Sequence, residues 1–390
     1  MGISIGLVGL GSFGRCFADL FHAHPLVDKV ALCDREPERM KTFADKETWA
    51  AKLDAKDCYT DYDELLKSGV DAVAIITQPW LHAPQALAAL SAGTSVYSAV
   101  PVISLPDGDE ILDWCGKIAE AVRSSGKHYM LGETTYYRPQ AMYCRRRAAE
   151  GAFGNYVYSE GEYFHSFDDP GCDLRKVAAA RRTGAAGQEW IARSEEYRKR
   201  GVRTGPMHYP THSTGGPICV MKTRAVKVSC FAQAPHSDDE YFAGSGIANE
   251  TAIFQMANGS VMRICEYREC AVGREIFRVY GDACAFENDT WRDKFHRENN
   301  RSLTVDDMRD PMPPEIIEAY KAINPDSDYY GGHGGSHAYL VNEFVDAIAH
   351  DRAPAIHIWE AARYMAAGVT AHKSALKDGE VLEVPDFGYL

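Results

Sequence analysis

The sequence predicts an α/β protein: an N-terminal Rossmann domain, with its doubly wound parallel sheet, followed by an α+β region on an open, mostly antiparallel sheet. Three observations predict it. Up to about residue 130, short apolar runs alternate with longer stretches of helical periodicity, the rhythm of βαβ units. The glycine-rich turn Gly9-Leu10-Gly11-Ser12-Phe13-Gly14 falls between the first apolar run and the first helical stretch. After Tyr136, longer segments show β-branched and aromatic alternation.

At 390 residues the chain exceeds the length at which single cores usually divide. We therefore expect a dinucleotide-binding domain over residues 1–133 and a substrate-binding and oligomerisation domain over 134–390. In the first, residues 3–8, 29–33, 72–77, 95–98 and 128–131 are expected strands. Residues 13–22, 80–92 and 109–124 suit the crossover helices. In the second, strands are expected at 156–164, 225–233, 250–256, 261–267 and 275–280, with Asn258-Gly259 turning a hairpin. Residues 168–205, rich in Arg, Ala and Gly, lack sheet periodicity and read as a helical insertion or lid. Leu340, Val341, Phe344, Val345 and Ile348 fall on one helical stripe, and 359–375 continues as helix.

The bulk numbers exclude several classes of partner. Forty-two Lys and Arg against 55 Asp and Glu give a formal net charge of −13, with no like-charged tail, which disfavours nucleic acid. The 11 cysteines show neither Cys-x-x-Cys pairs nor zinc-module spacing, so we expect free thiols, no metal centre and a reducing cytoplasm. The apolar start runs straight into the glycines without a basic leader, and reads as a first strand rather than a signal peptide. No stretch approaches a transmembrane length, so no membrane partner is expected.

The glycine turn specifies a cofactor. Only glycine lets the backbone approach a pyrophosphate, whose charge the helix N-terminus meets. Gly9, Gly11, Ser12, Phe13 and Gly14 supply that cradle. Asp34 closes the second strand, 20 residues after Gly14, where a carboxylate accepts from the adenosine ribose hydroxyls. An acid there repels a 2′-phosphate and favours NAD over NADP, although Arg35 beside it weakens the bias. Thr77, Pro79 and His82 lie at the carboxyl end of the next long strand, where open α/β sheets bind ligands. Taken alone, His82 reads as a structural histidine more readily than as a catalyst.

At this point the chain resembles the Gfo/Idh/MocA superfamily of sugar oxidoreductases over nearly its whole length. Tyr59-Thr60-Asp61-Tyr62-Asp63-Glu64, Asp71 to Thr77 and His82-Ala83-Pro84 carry the likeness. The typical dehydrogenases place Glu-Lys-Pro after the fifth strand, with the lysine beside nicotinamide and substrate. Here the matching positions read Ala99-Val100-Pro101, and valine holds no proton. A branch that also has valine is the NAD-dependent glycosidases, best known as α-N-acetylgalactosaminidases. Its marks are matched by Glu133, by Tyr163-Phe164-His165, by Tyr209-Pro210-Thr211-His212 with Gly216-Pro217, by His333-Gly334-Gly335-Ser336-His337, and by Val384-Pro385-Asp386-Phe387. Ala99 departs from the branch, which often has glutamate there.

The resemblance implies a redox-neutral cleavage of a glycoside: transient C3 oxidation, C1–C2 elimination, water addition and re-reduction. It implies a tightly held NAD, with NAD+ as the resting form, contacted also by Val100 and Pro101. His212 is our candidate base for the C3 hydroxyl, and Tyr163 or Tyr209 the group acting at C2, provided nearby charges lower the phenol pKa. Glu133 is expected to bind hydroxyls or assist the leaving group. His165, Arg182 and His337 are candidate substrate contacts. Seven arginines crowd the insertion and suit an anionic sugar, as in the superfamily's sulfoquinovosidases, though such a cluster is more often a solvated helix face. A conventional sugar or polyol dehydrogenase, and a non-catalytic NAD-dependent binding or regulatory protein, are the alternatives. A homodimer or homotetramer is expected.

Overall fold

The computed structural model describes residues 2–243, 245–295, 297–323 and 330–389. Two compact units share the chain. Met1–Ile103, Trp114–Arg138 and Pro311–Trp359 form one; Ser104–Asp113, Pro139–Asp310 and Glu360–Leu390 form the other. The expected division at residue 133 thus falls near one crossing among several, because the late segment 311–359 returns to the first unit.

The first unit holds six parallel strands: β1 (Ile3–Val8), β2 (Val27–Cys33), β3 (Cys58–Tyr59), β4 (Ala72–Ile75), β5 (Ser95–Ser98) and β6 (Tyr129–Leu131). Their order, β3-β2-β1-β4-β5-β6, reverses direction between β1 and β4 and so makes a crevice beyond the carboxyl ends there. Central strands are buried on both faces, which is why β4 reads as an unbroken apolar run and β1 as one broken only by the half-buried Ser4. Helix Ser12–Ala23 follows β1 and buries Phe17, Leu20 and Phe21. The returning helix Gly332–Ala349 lies against it, with Phe344 edge-on to Phe21 at 6.4 Å. The predicted stripe is its buried face at Leu340, Val341, Phe344 and Val345. β4 stops at Ile75, two residues short of the expected end, and residues 76–81 are left as the loop carrying Thr77 and Pro79.

The second unit is built on nine strands: β7 (Tyr156–Phe164), β8 (Ala225–Gln233), β9 (Asn249–Met256), β10 (Val261–Tyr267), β11 (Arg274–Gly281), β12 (Cys284–Glu287), β13 (Thr290–Asp293), β14 (Arg301–Ser302) and β15 (Leu382–Glu383). Their order is β14-β13-β12-β11-β7-β10-β9-β8-β15, antiparallel except where β7 runs parallel to β10. The Asn258-Gly259 hairpin joins β9 to β10, with Gly259 at φ +85 and its N–H donating to the Met256 carbonyl at 3.0 Å. The insertion is two helices, Leu174–Thr183 and Ala185–Lys199.

One buried helix, Thr211–Met221, lies on this sheet. Two glycines allow it to come close. A Cβ on Gly216 would meet the Phe277 ring at 2.6 Å, and one on Gly161 would sit 1.9 Å from the Ser213 carbonyl oxygen. Pro217 has no N–H to bond back to Ser213, so that carbonyl is free to turn toward β7. None of the eleven cysteines is in a disulfide. Among the described residues, no helix is long and apolar enough to cross a membrane.

Candidate active site

The glycine turn has the shape that a dinucleotide requires. A Cβ on Gly14 would stand 2.0 Å from the Gly9 carbonyl oxygen, and Gly9 itself sits at φ +88 against the Ile76 carbonyl. At Gly11, by contrast, a Cβ meets nothing within 4 Å. Gly11 caps the helix with no side chain, so open space lies beside the helix N-terminus, where a pyrophosphate binds. Asp34, at the end of β2, is 6% exposed. It takes the Leu10 N–H at 2.7 Å and the Glu36 N–H at 2.9 Å, which braces the turn, and Arg39 lies 3.3 Å away. A carboxylate has about four acceptor sites, so room remains for ribose hydroxyls.

The neighbouring loops are pinned by His82. It is 1% exposed, with Nδ1 2.9 Å from the Pro101 carbonyl and Nε2 3.3 Å from the Thr77 carbonyl, so it links the loops after β4 and β5. Thr77 is fixed in turn by its hydroxyl, which donates to Gln85 at 2.6 Å. Val100 is buried in the second of these loops. Glu133 is fully buried after β6, where Oε1 accepts the Thr135 N–H at 2.8 Å and caps the short helix Thr134–Tyr137.

His337, expected at the substrate, belongs to the first unit and lies on Phe17 with ring centroids 4.3 Å apart. Its Nε2 shares a hydrogen bond with His333 Nδ1 at 2.9 Å, and burial with the His333 charge holds its pKa down to about 3.

In the second unit, the close approach at Gly161 brings the helix start against the end of β7. The Tyr163 and His212 rings lie 4.8 Å apart, and Tyr209 lies 5.6 Å from His212. His212 is 7% exposed, with Nδ1 4.0 Å from Glu275 Oε1 of β11. The Tyr163 hydroxyl is 2.6 Å from His165 Nδ1, while His165 Nε2 lies 3.2 Å from the Cys172 carbonyl. A carbonyl only accepts, so the assigned neutral tautomer carries its proton on Nε2 and Nδ1 accepts from the phenol. Burial lowers the pKa of His165, with Arg268 adding to the effect, and so favours this neutral form.

The expectation that nearby charges lower the phenol pKa needs correction at Tyr163. Burial pushes it well above the ordinary tyrosine value; Arg268 opposes this, while Tyr209, Glu275 and Glu266 add to it. The phenol is therefore protonated at neutral pH and needs an acceptor, which His165 Nδ1 supplies in place. Arg182 lies exposed on the first insertion helix. Of the seven insertion arginines, Arg175, Arg193, Arg198 and Arg200 are in ion pairs with Asp239, Glu110, Glu195 and Asp107, which favours a solvated face over an anion site.

Sequence reasoning passed over Glu275, Glu266 and Arg268. The signal was the alternation on β10: Met262 and Ile264 are buried, and the same face continues with Glu266, buried completely, and Arg268, 7% exposed. Two charges on an inward face of a strand are costly enough to mark a site.

The comparisons agree with this architecture. A family model described as an oxidoreductase family with an NAD-binding Rossmann fold matches residues 3–132. A glycosyl hydrolase family 109 protein of Stenotrophomonas maltophilia (strain K279a) is 26% identical, over 99% of this chain and 89% of the relative. An alpha-N-acetylgalactosaminidase of Tannerella forsythia is 23% identical, over 99% and 86%. Among solved structures, an oxidoreductase domain protein from Kribbella flavida superposes with a TM-score of 0.73 at 17% identity, covering 99% of this chain and 100% of that one. The scyllo-inositol dehydrogenase of Lactobacillus casei, solved with NAD(H) and scyllo-inositol, gives 0.66 at 15%, covering 98% and 99%. At these identities the solved structures establish the fold alone.

Fold and glycine turn together define an NAD-binding Rossmann unit joined to a second, sheet-based unit. Over residues 3–132 the chain matches the Gfo/Idh/MocA family model.

Proposed function

We infer that the chain is an NAD-dependent glycosidase that cleaves a sugar glycoside without net oxidation. The observation that carries this reading is the cluster of Tyr163, Tyr209 and His212 on the second unit. It supplies proton-transfer groups while the position of the usual dehydrogenase lysine holds the buried Val100. Gly9, Gly11, Gly14 and Asp34 would hold NAD, which would supply a reversible hydride acceptor for sugar C3.

The remaining steps belong to side chains. His212 takes the C3 hydroxyl proton, and Glu275 stabilises the imidazolium that results. With C3 a ketone, the C2 proton is acidic. Tyr163 passes its own proton to His165 Nδ1 and takes the C2 proton; the C2 electron pair forms the C1=C2 bond as the aglycone leaves from C1. Glu133 protonates or orients the leaving group and binds hydroxyls. Water then adds at C1 and gives its remaining proton to Glu133, while Tyr163, its proton exchanged with solvent, delivers one to C2 and recovers its own from His165. Tyr209 orients the sugar beside His212 or replaces Tyr163 at C2. Because NAD is regenerated in every turnover, it is held tightly and rests as NAD+.

The names of the full-length relatives make an N-acetylgalactosaminide the first substrate to try. Cleavage of p-nitrophenyl α-N-acetylgalactosaminide and a panel of other glycosides in D2O is expected to place deuterium at C2 of the released sugar. Cleavage without deuterium sinks the mechanism. Steady accumulation of NADH with an oxidised free sugar establishes a conventional dehydrogenase instead.

A further inference from the structure

Beside Tyr163 lies a buried ion pair that no step of the glycosidase cycle uses. Arg268 Nη2 donates to Glu266 Oε2 at 2.8 Å, and Nη1 donates to the Tyr267 carbonyl at 3.1 Å. The backbone there is fixed as well, since the Arg268 N–H donates to Asn249 Oδ1 at 2.9 Å. Glu266 is held from its other side by the hydroxyl of Ser213, the residue after His212. The guanidinium carbon stands 5.1 Å from the centroid of the Tyr163 ring. Burying two charges is weak evidence for stability, because apolar residues of similar volume often serve as well or better. The pair's position points instead to the ring it faces.

We propose that Arg268 is a positioning residue: held by Glu266, its guanidinium stabilises the Tyr163 phenolate that forms when the phenol proton moves to His165 Nδ1. This rests on the assignment of Tyr163 to C2, but the electrostatic claim is tested without it. The transfer conserves charge and atoms. One proton leaves the phenol oxygen and binds the imidazole, giving phenolate and imidazolium, and nothing is oxidised or reduced.

The other groups around the ring show why a cation is needed. From β11 comes Glu275, from the turn before the helix Tyr209, from the helix His212, from β10 Glu266, and from just past the end of its own strand His165. Tyr209, Glu275 and Glu266 all oppose a negative charge on Tyr163, as does burial. Arg268 is the permanent cation opposing them. Part of a phenolate's charge resides on the ring carbons, so a guanidinium over the face acts on the anion directly. Glu266 tethers that cation and partly cancels it, which makes the two residues act on Tyr163 with opposite signs.

The test places 3,5-difluorotyrosine at position 163, which makes the phenol more acidic, and follows its 19F resonance against pH in the purified full-length protein without glycoside. Glu266→Gln, which leaves the cation uncancelled, is expected to lower the titration midpoint. The double variant Arg268→Met with Glu266→Gln, which avoids leaving a buried charge unpaired, is expected to raise it by at least ~1 pH unit, a tenfold loss of phenolate at a given pH. A smaller rise in the double variant, or a shift of the same sign in both, overturns the proposal; general loosening of the fold does not produce opposite signs. Deuterium incorporation at C2 by the unmodified protein tests the glycosidase reading separately, so either result can fail while the other stands.

Discussion

Within one motif, Gly11 and Gly14 do different work, and they separate binding from folding. The Gly14 Cα lies against the Gly9 carbonyl, whereas the Gly11 Cα borders open space. Gly11→Ala is therefore expected to keep the melting temperature within ~2 °C, the small cost of alanine at a helix cap in a chain of this size. NAD affinity, read by titration calorimetry, is expected to fall at least ~10-fold, since the new methyl occupies the space beside the helix N-terminus. Unchanged affinity contradicts the assignment of that space to the cofactor. Gly161→Ala probes the other unit. Its methyl would overlap the Ser213 carbonyl, so a loss of about 1–3 kcal/mol in denaturant unfolding is expected. Residues of this kind differ in legibility. The glycine turn and the Tyr209-to-His212 spacing are local patterns, readable in the chain itself. Glu266 and Arg268 gain their meaning from Tyr163 on a neighbouring strand, a pairing that only the register of β7 and β10 reveals.

Elements were legible in proportion to their length. The five long strands expected in the second unit are all present, because seven or more residues of alternation separate a buried face from an exposed one. β3, β12, β13, β14 and β15, of two to four residues, carry too little pattern to read by themselves, whereas the equally short β5 and β6 are placed by the βαβ rhythm around them. The helix Thr211–Met221 was hidden for another reason. Gly215, Gly216 and Pro217 argue against a helix by propensity, and complete burial on the sheet overrides them. A buried pair ties several elements together: His372 Nδ1 is 2.7 Å from Glu250 Oε1 on β9 and its Nε2 3.1 Å from the Arg203 carbonyl, while Glu250 Oε2 accepts the Met207 N–H at 2.8 Å. Burial lowers the His372 pKa, but the hydrogen bond and charge of Glu250 outweigh it and leave the value raised above 6.5. The stabilisation from this imidazolium is fully present below the unfolded-state value and is lost as pH rises through the folded-state one. The melting-temperature gap between wild type and Glu250→Gln is thus expected to be widest below about pH 6.5 and to narrow as pH rises past it. A gap that widens with pH contradicts this pairing.

For the whole molecule, sequence order concealed the division of labour. The segment 311–359 reads as part of the C-terminal half but completes the first unit, because its apolar stripe is buried against helix Ser12–Ala23. The functional consequence lies in what each unit supplies. The first holds the NAD turn and, at Val100, no proton-carrying side chain; the second holds the tyrosine and histidine cluster. A dehydrogenase consumes one NAD+ per product, whereas a glycosidase of this design uses the same bound nucleotide repeatedly. Protein freed of unbound nucleotide and given excess glycoside is therefore expected to release sugar through many turnovers per bound NAD. The nicotinamide absorbance should settle at a small, constant reduced fraction. His212→Ala is expected to abolish that fraction together with turnover while leaving NAD binding intact, because it removes the base proposed to start the cycle and leaves the glycine turn and Asp34 untouched. Product formation that stops after one equivalent, or that requires added NAD+ in proportion to product, assigns the chain to net oxidation.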